Sequence, residues 1–220
     1  DGIRWMKMTD PSAIEAPSKV GSFLIWRQPH LIYMAELLYR SNPNAEVLKK
    51  YNKLVQETAD FMYSFATYEK DKDRFVLKGA IPAQETLRAA ETVNPPFELS
   101  YWHFAMSVAQ KWRERTGEER NKKWDELIQK LSPLAAQDTL YLAAETALDT
   151  YKDVRFTSDH MAVLGAEGIL PKCNLVREDY MKNTLNWIWY KWNWDQTWGW
   201  DSPMTAMNAA RLGEPEKAVG

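Results

Sequence analysis

A chain of 220 residues is long enough for one sizeable core or for part of a larger one. Its 28 Lys and Arg against 30 Asp and Glu leave no electrostatic footprint for nucleic acid or an anionic membrane, so a neutral partner is expected. No apolar run approaches the roughly 20 residues needed to cross a bilayer, the opening DGIRWMKMTD lacks the apolar stretch of a signal peptide, and the lone Cys173 excludes an internal disulfide and a cysteine metal site.

Residues 1–25 contain Pro11, Pro17 and Gly21 without a sustained period and read as an irregular lead-in, with one domain expected over 26–220. Pro29 suits the first turn of a helix over 30–40, whose Leu31, Met34, Leu37 and Leu38 follow helical spacing; SNPN then stops it. Three- and four-residue apolar steps predict a second helix over 45–68, making an αα-hairpin. Residues 70–97 show a short β-like FVL, a Gly and three prolines, longer than a passive connection usually runs, which favours a functional loop. A third helix is predicted over 97–116, stopped by Gly117, and a fourth near Glu118. Residues 137–157 read as irregular or β-like, followed by short helices near 158–167, 176–191 and 202–212. The pattern is paired helices with long loops at one kind of junction. It predicts an all-α array or toroid with the loops gathered at one end.

Chemistry-bearing residues fall in those loops: Glu85 in IPAQE, Glu98 in NPPFE, Glu145 and Asp149 in AETALD, and Asp195 and Asp201 in KWNWDQTWGWDSPM. Most loop carboxylates are solvated or cap helices, and Glu98 and Asp201 each precede a helix. Asp195 lies among indoles that would desolvate it and raise its pKa. A Trp face also stacks on a pyranose, and Trp194 and Trp198 are the rings to seek in a pocket, the other tryptophans filling core. Two carboxylates across a sugar, one protonating the leaving oxygen and one activating water, are the equipment of glycosidic cleavage; Glu85 and Asp195 are the preferred pair. The three histidines, His30, His103 and His160, show no HExxH spacing, and no GxSxG or phosphate loop occurs, so neither metal nor cofactor is expected. Gln28 and His30 are candidate sugar contacts, with a core role for His30 equally open.

The segments FLIWRQPHLIYMAELLYR, ETADFMYSFATYE, IPAQE, NPPFELSYWHFAMSVAQKWRER and WNWDQTWGWDSPMTAMNAARLGEP, in that order, resemble the catalytic domain of the six-hairpin, (α/α)6-barrel glycosidases. The nearest likeness is to bacterial proteins similar to glycoside hydrolase family 65, with family 95 as a cousin, over about residues 20–220. The resemblance implies that Glu85 is the general acid and Asp195, twelve residues before Met207, the base. It implies that Gln28 and His30 touch sugar hydroxyls, although only part of that polar segment is kept, and that Glu98 and Trp102 line the site. Family 65 phosphorylases replace the base with a phosphate-binding loop, so Asp195 favours inverting hydrolysis; a phosphorylase and a non-catalytic sugar-binding or scaffold fragment stay open. It also implies an extracytoplasmic location and a carbohydrate as the partner, with no nucleic acid or membrane. A full barrel needs twelve helices, whereas about seven are visible and another should begin at EPEKAVG. The expectation is therefore a portion of a barrel whose exposed helix faces could associate.

Overall fold

Asn44 turns its side-chain oxygen onto the backbone N–H groups of Glu46 and Val47, at 2.9 and 3.0 Å, and so starts the longest helix of the chain. In the computed structural model, which describes every residue except Lys19 and Ser22, about half of the chain is helical, and contacts cluster in two units. The first comprises residues 1–76 and 101–132, the second 77–100 and 133–220.

In the first unit, α1 (His30–Ser41) and α2 (Ala45–Phe65) form the predicted hairpin. Val55, Ala59 and Met62 give α2 its buried seam. Strands β1 (Thr67–Glu69) and β2 (Arg74–Val76) pair antiparallel, with Thr67 opposite Val76. Helix α3 (Pro96–Arg115) contributes its residues from Tyr101 onward, and Gly117 ends its last turn with φ 78°. Helix α4 (Lys122–Lys130) begins later than Glu118 because Asn121 caps it, while Gln110 brackets the Asn121 backbone on both sides. Glu118 instead accepts from Asn52, Gln56 and Thr116. A buried ionic knot closes this unit: Glu36, 1% exposed, accepts from Trp112 Nε1, Arg115 and Arg40.

In the second unit, β3 (Ala136–Gln137) and β4 (Leu140–Tyr141) join through Asp138 and Thr139, both left-handed. The helix expected near 158–167 is a fully buried 3-10 segment, Ala162–Glu167, and the stretch expected to be irregular or β-like over 137–157 ends in a short helix, α5 (Val154–Thr157). Gly165 within that segment lies against the Phe97 ring, which a Cβ would approach to 3.0 Å. Helices α6 (Glu178–Lys191), α7 (Asp201–Arg211) and α8 (Pro215–Val219) follow, with a 3-10 turn at Trp194–Gln196 between the first two. The helix expected at EPEKAVG is α8, entered through Pro215. The fold class is all-α, as the spacing predicts. Among the described residues no helix is long and apolar enough to cross a membrane.

Candidate functional site

The long connection between β2 and α3 is tied at its base before it reaches any catalytic candidate. Asn94, left-handed at φ 54°, donates its N–H to the Leu77 carbonyl at 2.8 Å and accepts the Leu77 N–H on its side-chain oxygen at 2.9 Å. Asparagine tolerates that backbone region at low cost. Its amide nitrogen donates to Glu145 at 2.6 Å, which gives Glu145 a structural partner.

Farther along the connection, three hydrogen bonds hold the residues around Glu85. Glu98 Oε1 accepts the Ala83 N–H at 2.7 Å, the Gln84 amide donates to the Phe156 carbonyl at 2.8 Å, and Asp159 Oδ2 accepts the Thr86 N–H at 2.8 Å. Glu85 itself is exposed. Its flanking backbone is thus fixed while the residue itself stays open to solvent.

Asp159 leads into a second cluster. Its carbonyl accepts Trp192 Nε1 at 3.0 Å, and the adjacent His160, 8% exposed, meets the Asp201 carboxylate through Nδ1 at 2.9 Å. Asp201 is fully buried and also accepts the Trp198 N–H at 2.8 Å, so the Trp198–Asp201 turn closes on its own side chain. The His160 ring lies 4.1 Å from the Trp200 ring and 5.8 Å from the Trp198 ring, centroid to centroid. Asp201 is thus no N-cap: it is the first residue of α7, and its carboxylate supports the tryptophan turn and the histidine. Asp159 and His160 are not among the site residues expected from the sequence; their adjacency as a carboxylate and an imidazole is the signal the chain offers.

Asp195 occupies the 3-10 turn at Trp194–Gln196, and its carboxylate is exposed. The expected desolvation by indoles does not occur, because the neighbouring rings turn elsewhere. Trp194 Nε1 donates to the Trp189 carbonyl at 3.3 Å, and Trp192 reaches Asp159. Trp194 does face a cavity of about 520 Å3, shared with Trp189, Ser202, Thr205 and Lys217. Trp198 is 62% exposed and presents open indole surface.

The desolvated carboxyl is Glu98 instead. It has no solvent exposure, burial pushes its pKa up to about 7 against the opposing backbone hydrogen bonds, and Oε2 has no hydrogen-bond partner. Expected to line the site, Glu98 touches a loop amide rather than open space. Trp102, given the same role, is core: it is 0% exposed and donates to the Met62 carbonyl at 3.0 Å. Gln28, 1% exposed, spends both ends of its amide on the Trp5 backbone, at 2.7 and 2.8 Å, and so anchors the lead-in segment. His30 packs on Trp26 and meets the Tyr101 hydroxyl at 2.6 Å; burial and then Arg27 lower its pKa to about 4, so it is neutral at neutral pH.

No family model matches the sequence, and no curated protein does. Several solved structures do match, among them "Putative kojibiose phosphorylase from human microbiome", which superimposes with a TM-score of 0.64 at 13% identity. The match covers 94% of this chain and 35% of that one, so the chain spans about a third of the neighbour's length. The likeness is one of fold. It places the chain in the helical-toroid class that the motif order resembles.

Proposed function

We propose that the chain is part of a carbohydrate-active enzyme that breaks a glycosidic bond by an inverting two-carboxylate mechanism. Glu85 protonates the leaving oxygen and Asp195 activates the attacking water. Trp198, with its open face, is the ring offered to the sugar. The observation that carries this reading is the exposed carboxyl of Glu85 on a loop pinned at Ala83, Gln84 and Thr86. A pinned backbone under a free carboxyl keeps a proton donor aimed without spending the group on the fold. Inversion requires about 6.5 to 9.5 Å between the two carboxyl groups to admit the water.

A second reading, phosphorolysis, is favoured by the name of the structural neighbour. Kojibiose incubated with and without inorganic phosphate separates the two. Release of free sugar of inverted anomeric form without phosphate supports hydrolysis, and strict phosphate dependence with a sugar phosphate as product supports the second reading. Under either, Glu85→Gln lowers turnover of this poor-leaving-group substrate by about 100-fold or more. Unchanged turnover removes Glu85 from the mechanism.

A further inference from the structure

A carboxyl group buried without a cation or a full set of donors is costly, and apolar neighbours of similar volume would fill its place more cheaply. Glu98 is such a group. It sits between Phe97 and Leu99, 2% and 0% exposed, with one oxygen unpartnered and the other on the Ala83 N–H. That single contact is to the residue two positions before Glu85, in a stretch with no regular secondary structure to stiffen it.

We propose that Glu98 is a positioning residue for this site: from the first turn of α3 it grips the Ala83 amide and thereby fixes the loop that presents Glu85. Asp159 grips the other side through the Thr86 N–H, so two carboxyl groups hold the backbone on either side of a third that stays free. The role deepens the proposed function and rests on Glu85 being the acid. A group that must deliver a proton within a fraction of an ångström of its target needs its backbone held from both directions. The raised pKa of Glu98 accords with a carboxyl retained for its acceptor oxygen rather than for its charge.

Nuclear magnetic resonance on the whole chain tests this without any ligand. In the wild type, the Glu98 carboxyl carbon and the Ala83 amide are expected to follow one titration curve. Hydrogen exchange at Ala83 is expected to rise about tenfold or more in Glu98→Leu, with α3 amides unchanged, and to stay slow in Glu98→Gln, whose carbonyl still accepts. A protected Ala83 in the leucine variant, or an Ala83 amide indifferent to the Glu98 titration, overturns the assignment. Should the leucine variant not fold, the wild-type titration decides alone. The catalytic reading is tested separately by Glu85→Gln on kojibiose. Lost turnover there with an indifferent Ala83 keeps the acid and removes the positioning role, and the reverse pattern keeps the held loop and removes the acid.

Discussion

At the scale of single residues, burial and function part company. Glu85 and Asp195 are exposed, while Glu98 and Asp201 are buried. Burial raises the Glu98 pKa from the ordinary 4.5 to about 7, which ties stability to pH. Below 4.5 the carboxyl is neutral in both the folded and the unfolded chain, and its contribution is fully present. As pH rises to 7 and above, the unfolded chain releases the proton first, and the folded state loses about 3 kcal/mol relative to it. Urea unfolding of wild type and Glu98→Gln between pH 4.5 and 8 is expected to show their stability difference shifting by that amount in favour of the glutamine form. A constant difference would place the Glu98 pKa near its ordinary value. The sequence pointed to Asp195 as the desolvated carboxyl because tryptophans flank it in the chain. Adjacency along a short turn does not set where rings point: Trp192 and Trp194 both donate to backbone carbonyls away from Asp195. The group that is desolvated, Glu98, is fully buried by the fold, and its contact with the Ala83 N–H, fifteen positions away in sequence, opposes the rise in its pKa.

At the scale of elements, the apolar period made α1, α2 and α3 legible as helices, although in α1 the stripe it marked, Met34, Leu37 and Leu38, stays about half exposed while Ile32 and Ala35 are buried. The start of α4 was not legible, since it depends on Asn121 meeting Gln110, a contact between separate segments. The 3-10 form of Ala162–Glu167 was hidden too, since every residue of it is buried and Gly165 packs against Phe97 of α3, far away in sequence. Polar residues inside the seams carry structural weight that a period does not show. In Glu36, burial raises the pKa, but the hydrogen bonds from Arg115, Arg40 and Trp112 outweigh it and hold the carboxyl below its ordinary range. Glu36→Ala leaves the fully buried Trp112 Nε1 without an acceptor and removes the partner of two arginines. Because both guanidinium groups keep some access to water, the expected loss is about 3 kcal/mol, toward the lower end for breaking a buried pair. Chemical denaturation of the variant would measure it, and a loss under about 1 kcal/mol would mean that water replaces the carboxylate fully.

At the scale of the molecule, the order of motifs was the legible feature: no single segment decided the fold class, yet paired helices with acidic loops between them gave the all-α architecture that the structural neighbour shares. The same pattern leaves apolar surface on α1, where Met34, Leu37 and Leu38 are each about half exposed along one face. Fully covering such side chains contributes about 1 to 2 kcal/mol apiece, so the three together supply about 6 kcal/mol at most. Association costs about 4 to 15 kcal/mol in lost freedom of motion, which this face alone barely offsets. A second copy of the chain is therefore expected to bind there only weakly. Sedimentation equilibrium should show monomer at about 10 μM and self-association emerging only toward about 1 mM, abolished by Leu37→Lys. A tight dimer that survives Leu37→Lys would mean that another surface, and not the α1 face, holds copies of this chain together.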